Sequence, residues 1–187
     1  TLVAGPLENN IYLVACPVMG SAVVVDPADD AARVLEAAAG LRLEAILLTH
    51  GHHDHLGAAR EVSRACGVPV RLHPADTTLA GLPGTVPLAD GERISGGTGG
   101  LEGRHTPGHT AGSVCFAADG VVLSGDTLFP GGPGATAGPE AFRRVMASLR
   151  ARLFTLPDAT AVLPGHGPAT TIGAERPHLA EWEERGW

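Results

Sequence analysis

Lysine is missing from the 187 residues, so every one of the 13 cations is an arginine, and 20 acidic residues leave a formal charge of −7. No arginine cluster exceeds Arg143-Arg144. Without a basic patch to neutralise a phosphate backbone, a nucleic-acid partner is not expected. Cysteine is scarce as well. Cys16, Cys66 and Cys115 are odd in number and lack Cys-x-x-Cys spacing, which excludes a disulfide framework and a thiolate zinc site and reads all three as small buried hydrophobes. No apolar run reaches the roughly 18 residues of a membrane span, and no charged leader precedes an apolar segment. From Thr1 onward the sequence therefore reads as a cytoplasmic protein with no membrane contact. Linkers and low-complexity tracts are absent, and with 44% hydrophobic residues the length fits one domain, residues 1–187, with a sizeable core.

What is present alternates between strand and helix signals. NNIYLVAC and SAVVVDP read as a hairpin around the turn PVMG, followed by a helix in ADDAARVLEAAAG, where aspartates can cap and glycine can stop. LEAILLT reads as a buried strand, LGAAREVSRACG as a helix and VPVRLHP as the next strand. SVCFAADGVVLSGD holds two β runs joined at Asp119-Gly120, a strong hairpin signal. In PEAFRRVMASLRARLFTL, Phe142, Val145, Met146, Leu149 and Leu153 recur at helical spacing and read as core. ATAVLPGHG supplies a last short strand, and the second half of TTIGAERPHLAEWEERGW reads as helix.

Four of the nine histidines fall within LLTHGHHDHLGAAR, residues 47–60. The loop follows a buried strand, where α/β proteins build their sites. Its pattern H-x-H-x-D-H offers His50, His52, Asp54 and His55, which a tight loop cannot converge on one tetrahedral ion, so two metals accommodate them better. Imidazole suits zinc, iron or copper, and the lack of thiolates points to a catalytic site with an open position. His53 reads as the outward position. HTPGHTAGS, LSGDTLF and LPGHGP add His109, Asp126 and His166 in glycine-bordered loops. If Asp126 bridges two ions, His50, His52 and His109 fill one site and Asp54, His55 and His166 the other. His105 reads as the best candidate to support a ligand from behind, with Ser124, Thr110 and Thr127 as further orienting groups, and His73 and His178 as structural.

The ordered set THGHHDH, TPGHT, GDTLF and PGHG, spanning residues 49 to 167, resembles the metallo-β-lactamase superfamily, and within it the glyoxalase II-like hydrolases; NNIYLV and TTIGAER resemble family segments too. The resemblance implies an α/β fold, a four-layer αβ/βα sandwich of two mixed sheets, with two zinc ions at one edge, iron or manganese being the alternatives. It implies hydrolysis of a small-molecule thioester by water shared between the metals, its pKa lowered to about 7, with Asp54 both a ligand and the catalytic residue orienting that water. True β-lactamases of this fold lack the aspartate at the Asp126 position. Its lactonases resemble one another in an active-site tyrosine, whereas the single tyrosine here is Tyr12 in the first strand. Lactonase is the runner-up, followed by a thioesterase for carrier-protein or coenzyme A adducts. Glyoxalase II relatives commonly carry an arginine where this chain has Ala135 and an acidic residue near Ala137, and their cationic helical extension has no room here. Weak recognition of glutathione is the expectation.

Overall fold

Every side chain in the run Ser21–Val25 is buried, which a strand achieves only when both faces are covered. Successive residues enter different cores. Ala22 and Val24 pack with Val34, Ile46 and Val62, whereas Val23 and Val25 pack with Leu47, Leu101, Phe116 and Leu123. The same alternation splits Val114–Ala118: Phe116 joins the second core, while Cys115 and Ala117 join a third with Val145, Leu149, Ile172 and Trp182. Three cores in series need four layers, and these are helix, sheet, sheet and helix, the αβ/βα sandwich that the resemblance implied. Each fully buried Val, Leu or Phe contributes about 1.5–3 kcal/mol to holding the layers together.

The computed structural model describes residues 1–16, 18–94 and 100–187. Strands β1 (Leu2–Ala4), β2 (Asn9–Cys16) and β3 (Ser21–Val25) are antiparallel neighbours. After helix α1 (Ala31–Ala37) comes β4 (Arg42–Leu47), and after α2 (Ala59–Cys66) comes β5 (Val70–Leu72), each parallel to the strand before it. Asp30 caps α1 by accepting from the Arg33 amide, and α2 buries Ala59 and Val62 one turn apart while Gly67 ends it in the left-handed region. Helix α3 (Thr77–Ala80) leads to β6 (Val86–Pro87), which completes the first mixed sheet in the order β1-β2-β3-β4-β5-β6.

The second sheet is built from β7 (Arg93–Ile94), β8 (Leu101–His105), β9 (Val114–Ala118) and β10 (Val121–Gly125), then a small ribbon of β11 (Leu128–Phe129) and β12 (Gly132–Pro133). Helix α4 (Pro139–Ser148) runs into a π-helical turn, Leu149–Leu153, before β13 (Ala161–Pro164), β14 (Thr170–Thr171), α5 (Ile172–Glu175) and α6 (Leu179–Arg185). The sheet order is β14-β13-β10-β9-β8-β7, with β10 and β13 parallel and the other pairs antiparallel.

Several expectations are refined. A three-residue strand precedes the first one expected, so Tyr12 lies in β2. Pro17, which opens the turn PVMG, lies outside the described residues. The helix from Pro139 changes to a π turn, in which the Phe154 amide reaches back to the Leu149 carbonyl at 2.8 Å. Only Cys115 is a buried cysteine; Cys66 is exposed and Cys16 half-buried, because each closes its element. No helix among the described residues is long and apolar enough to cross a membrane.

Candidate metal centre

Strands β3, β4, β10 and β13 run parallel within their sheets, so the loops that follow them leave the sandwich at one edge. β2 is antiparallel to β3, and its first residue, Asn9, arrives at the same edge. All seven candidate residues, His50, His52, Asp54, His55, His109, Asp126 and His166, meet there. Among these seven, two donor sets form, His50 with His52 and His109, and Asp54 with His55 and His166, the ligand atoms of each lying within 4.8 Å of one another; Asp26 makes a third such group with His50 and His55.

In the first set, His52 Nδ1 lies 3.0 Å from Nε2 of both His50 and His109. The outer nitrogens of those two rings are fixed. His109 Nδ1 contacts the Ala135 carbonyl at 2.7 Å, and since a carbonyl only accepts, that nitrogen carries the proton. The Thr49 hydroxyl donates to Asp26 Oδ2 at 2.5 Å and so accepts from His50 Nδ1 at 3.0 Å. Both inward nitrogens therefore present lone pairs, and a single proton on His52 Nδ1 would serve only one of them well. Burial and the neighbouring imidazoles lower the pKa of His50 well below the ordinary histidine value, which keeps it neutral, as a ligand must be.

In the second set, Asp54 Oδ2 is 3.3 Å from Nε2 of His55 and of His166. His55 Nδ1–H donates to Asp26 Oδ2 at 3.1 Å, and His166 Nδ1–H to the Leu7 carbonyl at 2.9 Å. Asn9 Nδ2 donates to Asp54 Oδ2 at 2.9 Å. Although burial opposes it, this bond and the neighbouring His55 hold the Asp54 carboxyl below its ordinary range.

Asp126 stands between the sets. Its Oδ1 is 3.4 Å from His55 Nε2, and its Oδ2 is 3.7 Å from Nε2 of both His109 and His166. His55 Nε2 and Asp126 Oδ1 are buried with no hydrogen-bond partner. Burial works against a charge on His55, but Asp126 and Asp26 outweigh it and push its pKa up to about 10. The pocket thus calls for a positive charge at His55 Nε2, and a metal cation in the proton's place meets that demand while satisfying both orphaned atoms. Imidazole and carboxylate donors without thiolate suit zinc, iron or manganese.

The approach of β13 to this centre requires a glycine. A Cβ on Gly165 would lie 2.3 Å from Asp126 Oδ1 and 2.6 Å from His55 Cε1. Gly165→Ala is therefore expected to push Asp126 off His55 and weaken metal binding about tenfold or more; titration of the metal-free variant with zinc against a competing chelator checks this, and an unchanged affinity would contradict it.

The supporting residues differ from those expected. His105 touches none of the seven: its Nε2 bonds the Ala111 carbonyl and its ring stacks on His73 at 4.0 Å. Ser124 and Thr127 bond the Leu128 carbonyl and Thr106, and Thr110 bonds Asp76. The orienting work falls to Asp26, Asp76 and Asn9. Asp26 holds His55 directly and His50 through Thr49, and it takes φ 49° to do so, a left-handed conformation that Asp and Asn tolerate best. Asp76 accepts from the Gly51 amide at 2.9 Å, the Gly112 amide at 2.7 Å and the Thr110 hydroxyl at 2.6 Å, tying the His52 loop to the His109 loop. The available signal for Asp26 was its place at the end of SAVVVDP, the position that Asp126 holds after VVLSG. His53 is exposed, as expected.

The model of the metallo-beta-lactamase superfamily matches residues 4–166. A hydroxyacylglutathione hydrolase of Alkalilimnicola ehrlichii is 42% identical over a stretch covering 85% of this chain and 61% of its own. Among solved structures, BLEG-1, a B3 metallo-beta-lactamase, matches with TM-score 0.81 at 33% identity, covering 95% of this chain and 96% of its own. TTHA1623 in a di-iron-bound form matches with TM-score 0.80 at 39% identity, covering 94% and 96%.

Proposed function

This chain belongs to the metallo-beta-lactamase superfamily, and on that premise we propose that residues 1–187 form one domain that hydrolyses small-molecule acyl thioesters at a two-metal centre. His50, His52 and His109 are assigned to one ion, Asp54, His55 and His166 to the other, and Asp126 to both. The observation that carries this reading is the pair of donor sets sharing one carboxylate, with a partnerless buried oxygen facing one set. Zinc is the first choice of metal; the di-iron form of the 39% identical TTHA1623 supports iron as its main rival.

Metal bound there would supply Lewis-acid polarisation of the substrate carbonyl and acidification of water. The protein's own groups do the rest. Nδ1–H tethers to Thr49, Asp26, Ala135 and Leu7 lock four imidazoles with Nε2 inward, so little reorganisation is needed during reaction. Asp54, held ionised with Oδ2 on Asn9, is the group assigned to orient the attacking water and accept its proton. A thiol leaving group has a pKa of ~8.5 and departs without strong general-acid help. That matters because the one tyrosine is not free to act: Tyr12 donates to the Pro164 carbonyl at 2.6 Å, and burial and Asp26 push its phenol above the usual range. The same placement weighs against the lactonase reading.

The name of the 42% identical relative supports hydroxyacyl thioesters as the substrate class. Glutathione itself is expected to be recognised weakly. Ala135 and Ala137 offer its carboxylates nothing, and the nearby Arg144 is solvent-exposed with its charge shared by Glu140, so it adds only a weak, screened attraction. The likeness to BLEG-1 makes β-lactam hydrolysis the second reading. Steady-state kinetics of metal-loaded protein on S-lactoylglutathione, the same acyl group on a small neutral thiol, a lactone and a β-lactam test all of these. Turnover of both thioesters is expected, with a glutathione preference below roughly a hundredfold in kcat/KM, about 2.7 kcal/mol. Brisk turnover of the lactone or the β-lactam with neither thioester cleaved would overturn the reading.

A further inference from the structure

Beside His52 and His109 lies a cavity of about 310 Å³ bounded by α3, the loop after β8 and the start of α4. Much of its polar lining is already engaged. Both oxygens of Asp76 are engaged by three donors, the Thr110 hydroxyl is one of those donors, and Arg144 is paired with Glu140 one helical turn away. His52 turns Nδ1 and His109 turns Nε2 to the metal centre, and His109 Nδ1 is taken by the Ala135 carbonyl. The larger part of the surface that meets a ligand is apolar, methyl and isobutyl groups from Ala75, Leu79, Ala111, Ala137 and Ala141, with the exposed Arg144 at one side. Leu79 is 42% exposed at this rim, one of the few large apolar side chains left open to water among the described residues.

We propose that this cavity seats an uncharged alkyl arm of the substrate, and that Leu79, Ala137 and Ala141 set its length. The inference rests on the hydrolase reading above and deepens it: the walls favour substrates whose arm is an unbranched hydrocarbon of several carbons over charged or highly polar ones. The chemistry is shared by two sources, since the arm could hang from the carbonyl carbon or from the sulfur. An apolar wall contributes about 0.8 kcal/mol for each methylene it covers, which is about fourfold in kcat/KM. A charged arm would gain little from these apolar walls to offset its lost hydration.

Two series on the zinc-loaded protein separate the sources: acetyl, butyryl and hexanoyl thioesters of one neutral thiol, and acetyl thioesters of ethane-, butane- and hexanethiol. One series is expected to rise about fourfold per methylene, on the order of a hundredfold across its length, and the other to stay nearly flat. Calorimetric binding of acetate, butyrate and hexanoate, and of the three free thiols, is expected to follow the same trend without turnover. Ala141→Trp fills the cavity and should cost the longest substrate at least tenfold more than the shortest; Leu79→Ser, at an exposed position where folding is not at stake, should flatten the slope. Two flat series, or a slope that neither variant alters, would overturn the proposal while leaving thioester hydrolysis intact. Length-dependent, variant-sensitive binding with no thioester cleaved would instead support the cavity and sink the thioester reading.

Discussion

Asp126→Ala is expected to strip both metals and lower kcat/KM on a simple acetyl thioester by about three orders of magnitude, about 4 kcal/mol. The carboxylate faces both donor sets, with Oδ1 toward His55 and Oδ2 at 3.7 Å from His109 and His166 alike. Two dications about 3.5–4 Å apart repel strongly. Removing the one anion between them destabilises both at once. His166→Ala is different in kind, since it takes a single donor from the Asp54/His55 set and leaves His50, His52 and His109 untouched. Elemental analysis after zinc-supplemented purification should return close to two ions per chain for the unaltered protein, about one for His166→Ala and well under one for Asp126→Ala. Equal residual metal in the two variants would count against Asp126 as the shared group.

Asp26→Ala should be the most destabilising change near the site, costing about 3–5 kcal/mol even in the metal-free protein. The carboxylate is 2% exposed and accepts from the Thr49 amide at 2.7 Å, the Thr49 hydroxyl at 2.5 Å and His55 Nδ1 at 3.1 Å. Alanine would leave all three donors buried without an acceptor. At 2–4 °C per kcal/mol for a chain of this size, the melting temperature should fall by about 10 °C. Metal affinity should also drop, by about 10–100-fold, because one histidine of each set loses its tether. Asp26→Asn, which keeps the shape and tolerates the left-handed backbone, should recover part of the stability but less of the affinity, since its amide presents a donor where an acceptor is needed. A melting temperature for metal-free Asp26→Ala within a degree of the unaltered protein would show that the buried network carries no such weight.

The layered fold was readable where burial leaves a periodic trace. SAVVVDP and SVCFAADGVVLSGD mark strands because apolar residues on both faces leave few alternatives, and Asp119-Gly120 marks the hairpin between β9 and β10. Short edge elements left no such trace. Leu2–Ala4 and Thr170–Thr171 are strands only because a longer neighbour, β2 or β13, offers them a register. The π turn after α4 was equally hidden, since Leu149 and Leu153 satisfy an α-helical spacing just as well.

By itself the sequence determined which residues could meet at the centre. Metal chemistry restricts donors to few residue types, and glycine-tight loops confine them to short words such as THGHHDH, GDTLF and PGHG, so the inventory of seven could be written down before any contact was known. Only the tertiary structure decided how they are held. Asp26 acts across 23 residues on Thr49 and 29 on His55, Asp76 across 25 on Gly51 and 36 on Gly112. For Asp76 nothing local marks it off from a surface aspartate, and for Asp26 only its place after a buried strand does. It also decided that His52 turns Nδ1 inward where the other four rings turn Nε2, that His105 faces away onto His73, and that alanines line the cavity beside His109. The physical reason is one of range: a ligand's identity is set by its own chemistry, but its orientation is set by hydrogen-bond partners that only chain folding brings near.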